Sequence, residues 1–393
     1  MQIGTRLSDS IRASSRSSGC INRPKTRLLP THATIVSSHA MWEPSRQDVR
    51  LTSPRIIAST DGRARCSSTF PMFVGFANLW TIVGLASDLP QGALLALHIA
   101  GERVVAFRDK EGKPRALIDR CPHRGVALSL GRIIDGVIEC PFHGWRFDGS
   151  GRNCHVPWNP DAKRELLGAT ALPLREVGGL LWLYTGFEPR DEPQPSESLM
   201  EPGVKLCAQS SLWGTHWTRA MENMLDSPHL PFVHQATIGR FVAKYVGGRM
   251  DVSWTEAPYG ARVENTVEGR ERDARLDYRS PNAMELFIDP GARLLRMLAI
   301  CLPVDDNRTK LTIITIRNFA RWRGFDWWFR RTNRRIADED KAVLESSQPS
   351  EVPPPAQERS VRTDQPTLAF RRLYFERFRE SAAAPRASGN ALD

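Results

Sequence analysis

Two short segments of this sequence each carry one cysteine and one histidine close together. They read Cys121-Pro122-His123-Arg124-Gly125 and Cys140-Pro141-Phe142-His143-Gly144-Trp145. Together they supply two thiolates and two imidazoles, the ligand set of an iron–sulfur cluster in which histidine replaces cysteine on one iron. A structural zinc ion accepts the same ligands, but a zinc finger groups its cysteines together and its histidines together. The order therefore predicts a [2Fe-2S] cluster held by Cys121, His123, Cys140 and His143, with zinc as the alternative.

Glycines and prolines beside these ligands suit the same purpose. Gly125 and Gly144 can adopt positive φ, which lets backbone N–H groups approach cluster sulfurs, and Pro122 and Pro141 stiffen the turns. The motifs CPHRG and CPFHGW resemble the Rieske domain of the Rieske non-heme iron oxygenases. Respiratory Rieske proteins of the bc type carry an additional disulfide-forming cysteine pair in their cluster loops, and this chain has no such pair beside its ligands.

A second pair of histidines, His229 and His234, lies among mostly apolar residues close to Asp226. Two imidazoles and one carboxylate on one side of a metal form the non-heme Fe(II) site that activates O₂. Residues five apart in a helix point about 140° away from each other, so both histidines reach one metal only if the helix is broken or widened between them. Pro231 lies between them, and we expect it to supply the break. Two unrelated histidines near a helix end are the alternative interpretation.

This segment also resembles the Rieske oxygenase family, in which a Glu-Asn pair, an Asp and His-X₄-His recur together. The matching residues here are Glu222, Asn223, Asp226, His229 and His234. The resemblance implies a third iron ligand, an Asp on a later helix within an acidic pair followed by Glu-X-X-Gln. The matching residues of that pattern are Glu339, Asp340, Glu345 and Gln348.

Two aspartates, Asp338 and Asp340, are candidates for this third ligand. Helical periodicity places Asp340 on an apolar stripe and Asp338 about 200° away, among charged residues. The apolar members of the stripe are Phe329, Ile336, Val343 and Leu344. A buried carboxylate is costly unless it is paired or coordinates a metal, so Asp340 is the predicted ligand. A salt bridge from Asp340 to an arginine is the alternative.

The resemblance gives Asp226 a role between the two metal centres. In the family the matching Asp hydrogen-bonds an iron-ligand histidine and the cluster-ligand histidine of a neighbouring subunit. Electrons would then pass from His143 of one chain through Asp226 to His229 of the next. The resemblance therefore implies a head-to-tail homo-oligomer, expected to be a trimer. A helix cap before Pro228 is the simpler role for Asp226, and it is compatible with the bridge.

The predicted fold class is α+β, an all-β Rieske domain followed by an α+β catalytic domain. Residues 70–187 show short alternating apolar runs separated by Gly- and Asp-containing turns, which is typical of an all-β domain. The Pro-rich, acidic residues 188–201 are the predicted linker, and residues 202–380 are the predicted catalytic domain. The resemblance implies a curved antiparallel sheet with helices in this domain, similar to a helix-grip fold. A disordered tail is expected at 381–393.

Three elements of the catalytic domain are predicted from the sequence itself. Strands are expected at 294–303 and 311–318, joined across Asp305-Asp306-Asn307, and a helix is expected around 369–374. The apolar run at 70–86 is short for a bilayer span and contains Pro71 and Asn78, so it is predicted to be a core strand.

Residues 1–69 differ in composition from the rest of the chain. The first 70 residues hold 11 Lys and Arg against four acidic residues, which accounts for most of the net charge of +10. This basic, Ser-rich extension is expected to be disordered. We interpret it as the product of a start codon assigned too far upstream, with Met41 or Met72 as the true start, and an organellar transit peptide is the alternative. The expected location is the cytoplasm, or an organelle if the extension is a transit peptide.

The other cysteines and histidines show no spacing for a further metal site. Cys20, Cys66, Cys154, Cys207 and Cys301 have no pairing pattern and are expected to be reduced thiols. The histidines expected to be ordinary residues or to lie in the extension are His32, His39, His98, His155 and His216.

The sequence therefore predicts the terminal oxygenase of a multicomponent system, with a Rieske [2Fe-2S] cluster and a mononuclear Fe(II). A separate NAD(P)H-dependent reductase, alone or with a ferredoxin, is the expected partner, because the chain has no GxGxxG motif and no plant-type cysteine cluster. The segment DSPHLPFVH resembles the branch of vanillate O-demethylase, phthalate dioxygenase and pheophorbide a oxygenase. This implies hydroxylation or oxidative demethylation of an aromatic or polycyclic substrate. No nucleic-acid partner is expected, because most of the positive charge lies in the extension and no basic, aromatic-interleaved binding module follows it. A Rieske electron-transfer protein without oxygenase activity is the alternative.

Overall fold

The computed structural model of the chain describes residues 72–270 and 273–379. The described residues up to Tyr184 form strands and short 3-10 turns, and no α-helix. The strands are β1 (Trp80–Leu85), β2 (Leu95–Ile99), β3 (Glu102–Arg108), β4 (Pro114–Ile118), β5 (Arg132–Ile134), β6 (Val137–Glu139), β7 (Arg146–Phe147), β8 (Asn153–His155), β9 (Ala171–Leu172), β10 (Leu174–Val177) and β11 (Leu180–Tyr184). They form three antiparallel sheets with the orders β1-β11-β10, β2-β3-β4-β9 and β5-β6-β7-β8. The all-β prediction for this part is confirmed.

Strand β3 lies between two hydrophobic cores. Val104 and Ala106 face the large core that this part shares with the catalytic half, whereas Val105 and Phe107 face a smaller core. Both faces of β3 are therefore buried, which explains its continuous apolar run. The smaller core also contains Cys121 and Cys140, so packing against β3 helps to position both cysteine-containing loops.

The catalytic half contains a seven-stranded antiparallel sheet and helices. Its elements in chain order are α1 (Glu197–Met200), β12 (Lys205–Trp213), α2 (Trp217–Leu225), α3 (Leu230–Val233), β13 (Met250–Ala257), β14 (Gly260–Val267), β15 (Ala274–Arg279), β16 (Ala283–Phe287), β17 (Leu295–Asp305), β18 (Arg308–Arg317), α4 (Arg323–Leu344) and α5 (Gln365–Leu373). The strand order is β12-β18-β17-β16-β15-β14-β13. Helix α2 packs on the middle strands, α4 on β12 and α5 on β13. The predicted antiparallel sheet with packed helices is confirmed.

The hairpin β17–β18 matches the two strands predicted from the sequence and also joins the two halves. The Ala100 N–H donates to the Pro303 carbonyl (2.9 Å) and the Gly101 N–H donates to the Val304 carbonyl (2.8 Å). In the stretch predicted as a linker, residues 197–200 form α1, and Leu199 is buried in the large core. The linker stretch is thus held against the catalytic sheet, where the Ser198 hydroxyl donates to Glu285.

The cysteines and histidines outside the predicted metal sites are placed as ordinary residues. Cys154, Cys207 and Cys301 are free thiols, and Cys207 and Cys301 are buried. His98 and His155 are exposed, and His216 is buried at the N-terminus of α2. No helix among the described residues is both long and apolar enough to cross a bilayer. The predictions for the extension 1–69, with Cys20, Cys66, His32 and His39, and for the tail 381–393 lie outside the described residues.

Candidate metal centres

The two cysteine–histidine segments form turns with the same backbone hydrogen-bond pattern. The Gly125 N–H donates to the Cys121 carbonyl (2.8 Å), and the Cys121 N–H donates to the carbonyl of the residue after Gly125 (2.8 Å). The same two bonds occur from Gly144 to Cys140 (3.1 Å) and from Cys140 to the residue after Gly144 (2.8 Å). Both glycines have positive φ, +72° and +70°, as the sequence predicted. The two turns therefore share one backbone pattern, in which the histidine stands two residues after Cys121 and three residues after Cys140.

The side chains of the two turns meet at one end of the all-β half. The rings of His123 and His143 lie with their centroids 4.5 Å apart, and Trp145 stacks on His123 at 4.5 Å with nearly parallel planes. Cys121 and Cys140 are buried, whereas His143 is exposed. The thiols thus lie inside, His123 is half-buried and His143 is at the surface, so the histidine side of a bound cluster would be the side nearer to solvent.

These four side chains fit a [2Fe-2S] cluster. The buried Nδ1 of His123 has no hydrogen-bond partner among the described residues, as expected of a nitrogen that binds a metal. Burial and, as a smaller effect, the neighbouring Cys140 raise the pKa of the Cys121 thiol to about 11. Two adjacent buried thiols become thiolates only when a metal supplies the compensating positive charge.

The second site brings His229 and His234 together with Asp340. Oδ1 of Asp340 lies 3.1 Å from Nε2 of His234 and 3.6 Å from Nε2 of His229. The ligand atoms of the three residues lie within 4.8 Å of one another, and His234 and Asp340 are buried. Asp338, the other candidate, is exposed. The helical phase of α4 thus turns Asp340, and not Asp338, toward the two histidines.

The predicted break at Pro231 is wrong. The helical turn continues from His229 to His234, because the Val233 N–H donates to the His229 carbonyl (2.9 Å) and the His234 N–H donates to the Leu230 carbonyl (3.1 Å). Pro231 is in the first turn of α3, where a missing N–H costs nothing, so it begins the helix instead of breaking it. The two histidines come together because they flank a very short helix. Helix α3 is four residues long, and His234, which follows it, leaves the helical conformation with ψ of 33°.

One member of the predicted apolar stripe on α4 is also misplaced. Val343 is about half exposed, whereas Ile336 and Asp340 are buried. The buried face of α4 is completed by Asn333 and Ala337, and Val343 lies about 60° from Asp340 at the edge of this face. Asn333 replaces an apolar contact with a hydrogen bond from its Nδ2 to the Thr315 hydroxyl (2.9 Å).

Each histidine of the second site is held by a carboxylate on its other ring nitrogen. Nδ1 of His229 donates to Oδ2 of Asp226 (3.0 Å), and Nδ1 of His234 donates to Oε2 of Glu339 (2.9 Å). The Thr237 hydroxyl also donates to Oε2 of Glu339 (2.6 Å). These bonds place the proton on Nδ1 in both rings, so both Nε2 atoms are free to bind a metal.

Glu339 was recognised in the sequence only as part of an acidic pair, and its contact with His234 was not predicted. The sequence signal for this contact was the position of Glu339 directly before Asp340. These adjacent residues of one helix contact the two different ring nitrogens of His234. Burial lowers the pKa of His234, but Asp340 and Glu339 outweigh burial and raise it. Two carboxylates directed at one histidine indicate a site built for a cation.

The three residues His229, His234 and Asp340 fit a mononuclear iron. Buried Oδ1 of Asp340 has no hydrogen-bond partner among the described residues, although it points at two ring nitrogens. Ligands about 2 Å from one octahedral ion lie about 3 Å apart when they are adjacent, which is close to the separations from Asp340 to the two rings. Two imidazoles and one carboxylate with the opposite side open suit Fe(II).

Glu222, which belongs to the same sequence motif, lies in a buried ion-pair cluster outside this site. Its carboxylate accepts from Arg219 (3.0 Å) and Arg371 (3.1 Å), and Glu358 accepts from the same two arginines (2.5 and 2.6 Å). Burial raises the pKa of Glu222 against the opposing effect of Arg371, whereas Arg219 lowers the pKa of Glu358. Two positive and two negative charges balance, and the cluster fixes α2, whose C-cap is Asp226, to α5.

Two family models match parts of both halves of the chain. A family model described as Rieske [2Fe-2S] domain matches residues 79–169, and one described as Vanillate O-demethylase oxygenase C-terminal domain matches residues 254–379. Chlorophyllide a oxygenase, chloroplastic, of Chlamydomonas reinhardtii is 31% identical over 220 residues, which are 53% of this chain and 34% of that protein. The oxygenase subunit of phthalate 4,5-dioxygenase of Pseudomonas putida is 28% identical over 270 residues, which are 62% of this chain and 60% of that protein.

A solved structure shows the same fold. Dicamba monooxygenase bound to dicamba superimposes with a TM-score of 0.68 over 79% of this chain and 100% of that chain, at 21% identity. The chain spans between 30% and 60% of the length of the curated relatives that it matches.

Fold, family models and relatives together show that the chain belongs to the Rieske non-heme iron oxygenases. Its C-terminal half is of the vanillate O-demethylase type. The cofactors of this family are a Rieske [2Fe-2S] cluster and a mononuclear iron, so the predicted cofactors are confirmed.

Proposed function

We propose that this chain is the terminal oxygenase component of a multicomponent system that hydroxylates or oxidatively demethylates an aromatic or polycyclic substrate. The observation that carries the proposal is the grouping of His229, His234 and Asp340 with both imidazoles held by carboxylates on Nδ1. When bound, the cluster supplies single electrons and the iron supplies O₂ activation. A protein that only transferred electrons would need the cluster ligands and would have no use for this second group.

The proposed ligand roles follow from the geometry of the two centres. Cys121 and Cys140 would hold the inner iron of the cluster, and His123 and His143 would hold the outer one. His229, His234 and Asp340 would hold the mononuclear iron. Asp226 and Glu339 would keep both Nε2 lone pairs directed at it, which maintains the affinity of the site for iron.

We propose that electrons pass between chains through Asp226. The His143 ring is exposed and Phe142 beside it is 60% exposed, so the cluster end of the all-β half is accessible to a neighbouring molecule. Asp226 uses one oxygen to hold His229 and is itself partly exposed. Phe232 on α3 and Phe241 in the segment after it expose apolar rings. These two surfaces suit a head-to-tail contact in a ring, and a homotrimer is the proposed assembly.

The proposed partners are a separate NAD(P)H-dependent reductase, alone or with a ferredoxin, and a small aromatic or polycyclic molecule. The names of the relatives, which include chlorophyllide a and phthalate, indicate this range of substrates. The cytoplasm is the proposed location, and an organelle is the alternative because chlorophyllide a oxygenase is a chloroplast protein.

The proposal is tested by turnover with a surrogate electron donor. The full chain is purified anaerobically, combined with a generic reductase and NAD(P)H, and screened with aromatic and polycyclic compounds for O₂ uptake coupled to product. We expect at least one compound to give product in proportion to O₂ consumed. If iron occupies the site and the cluster is reduced and reoxidised, yet no compound in a broad panel is converted, the alternative of an electron-transfer protein is supported.

A further inference from the structure

The N-terminal part of α4 carries a group of large aromatic side chains that the core does not use. Trp322, Trp327 and Trp328 are 75%, 66% and 52% exposed, and Phe325 is also exposed. Together with Phe319 and other neighbours they line an open apolar recess of about 510 Å³. We call this group, Trp322, Phe325, Trp327 and Trp328, the aromatic surface. Contiguous exposed apolar surface of this kind marks an interaction site.

The helical phase of α4 shows that the two tryptophans within the helix point away from the sheet. The buried face of α4 is centred on Asn333, Ile336 and Asp340. Trp327 and Trp328 lie more than about 100° from the centre of this face, on the side of the helix that faces solvent. They are therefore not displaced members of the core.

Arginines surround the aromatic surface. Residues 319–337 contain six exposed arginines and one acidic residue, Asp326. The arginines are Arg321, Arg323, Arg330, Arg331, Arg334 and Arg335. In the described part of the chain, Arg335 alone among them lies within ion-pair distance of a carboxylate, 3.8 Å from Glu339.

Asp326 does not neutralise this surface, because its carboxylate is directed to Lys205 (2.7 Å) and to buried Arg317. The surface is therefore both apolar and strongly positive. A symmetric contact with a second copy would place two such sets of positive charges against each other, which is repulsive. The charge pattern instead fits a partner that is negative and has an apolar layer beneath its charges.

We propose that the aromatic surface and its arginines dock this protein on the face of a lipid bilayer that contains anionic headgroups. Indole rings favour the headgroup region, where one edge of the ring is apolar and the other is hydrated. Arginines near an anionic bilayer are attracted to its negative surface potential. A helix that lies on a bilayer by one aromatic and basic face is typical of peripheral membrane binding. Asp340 lies about 140° round α4 from Trp327, on the buried face of the helix, so docking by the aromatic face leaves the proposed iron site off the bilayer surface.

Vesicle flotation with the full chain tests this docking without any need for turnover. The vesicles are phosphatidylcholine alone or phosphatidylcholine with about 30% phosphatidylglycerol. The first bilayer is neutral, and the second has a negative surface potential that attracts arginines. We expect flotation only with anionic vesicles, a decrease with added salt, and a blue shift of tryptophan fluorescence. Replacing Trp327 and Trp328 together by alanine should weaken vesicle binding by about tenfold or more.

Two matched variants separate membrane docking from loss of structure. Trp158→Ala removes a tryptophan that is almost fully exposed in the other half of the chain, and it should bind vesicles as the unmodified protein does. Arg331→Gln with Arg334→Gln leaves the aromatic surface intact and should remove the preference for anionic vesicles, with the thermal unfolding midpoint unchanged.

Three outcomes overturn the proposal. They are equal flotation with neutral and anionic vesicles, retention of binding when Trp327 and Trp328 are both replaced, and absence of binding to either vesicle. If the tryptophan variants instead dissociate an oligomer in sedimentation experiments, the aromatic surface is a contact between copies of this chain. If they lose binding to an acidic protein component while vesicles never bind, the partner is that protein.

Discussion

The Glu339 carboxylate accepts a hydrogen bond from Nδ1 of His234 at 2.9 Å, and this bond fixes the ring with Nε2 toward Asp340. The next residue of the same helix supplies that Asp340. One turn of α4 therefore sets both the position of a ligand oxygen and the protonation of a ligand imidazole.

Glu339→Gln is expected to weaken iron binding at the second site by about 10–100-fold, because the neutral amide is a poorer acceptor for the His234 N–H. Iron affinity is measured by competition with a chelator, and the visible spectrum of the cluster should not change. Asp338→Asn, on the exposed side of the same helix, is the matched control. Equal iron affinity in Glu339→Gln and the control would show that the hydrogen bond has no influence on the metal.

Asp340→Ala is expected to lose the mononuclear iron and turnover while the cluster spectrum survives. Asp338→Ala should keep both, because Asp338 is exposed and does not face the histidines. Iron content and absorption spectra of the two purified variants decide the matter. The reverse pattern would identify Asp338 as the ligand, and loss in both variants would indicate damage to α4.

His123→Ala is expected to abolish the rhombic EPR signal of the reduced cluster and the reddish-brown colour. Its buried Nδ1 has no other partner among the described residues, so no contact replaces the ligand. Cys140→Ser should have the same effect from the other turn. A colourless unmodified protein with stoichiometric zinc would contradict the assignment of these four residues to a cluster.

Asp226→Asn is expected to leave both metals bound and the cluster reducible, yet to slow oxidation of the reduced cluster by O₂ with substrate present. The amide keeps the shape of the side chain but removes its charge and one acceptor. Stopped-flow absorption measures this step.

A mixing experiment tests whether the path crosses between chains. His143→Ala and His229→Ala are each expected to be inactive, and co-assembly of the two should restore activity. Full activity of a chain shown by sedimentation to be monomeric would exclude the proposed path.

His216 is expected to make the free energy of unfolding depend on pH. Burial lowers the pKa of His216; Glu351 and Asp306 oppose this effect, and Arg379 adds to it. Because the folded pKa is below the unfolded value of about 6.5, the stabilisation is fully present above that pH and decreases as the pH falls below it. His216→Asn keeps a side chain that can cap the Thr218 N–H, and it should flatten this decrease. Urea unfolding at about pH 5.5 and about pH 7.5 measures the free energy of unfolding of both proteins. An equal decrease between these two pH values in the variant and in the unmodified protein would contradict the prediction.

The metal-site residues were accessible from the sequence because their spacing is local. CPHRG and CPFHGW each form one closed turn, and His229 and His234 flank one short helix, so few conformations needed to be considered. The choice of Asp340 required only the period of a helix. Features that depend on packing could not be predicted from the sequence. Helix α3 is short, so Pro231 lies in its first turn. The contact of Glu339 with His234 joins residues that are 105 positions apart in the sequence.

The burial of aromatic residues was similarly hard to predict. Phe329 was placed in the apolar stripe of α4 and is in fact partly buried, yet Trp327 and Trp328 on the same helix are exposed. Periodicity gives the relative angle of such residues around the helix. Periodicity does not give the width of the helix face that the sheet buries, and here β12 and β18 bury only a narrow face of α4.

The matching backbone bonds in the two cluster loops have a consequence for the ligand variants. Each loop is closed by a bond between Cys121 and Gly125 or between Cys140 and Gly144, and residues of β3 lie in the same core as both cysteines. These bonds join backbone atoms and do not involve the ligand side chains. A ligand replaced in one loop therefore leaves the hydrogen bonds that close both loops in place, so the loss of colour in such a variant reports on the cluster and not on the fold.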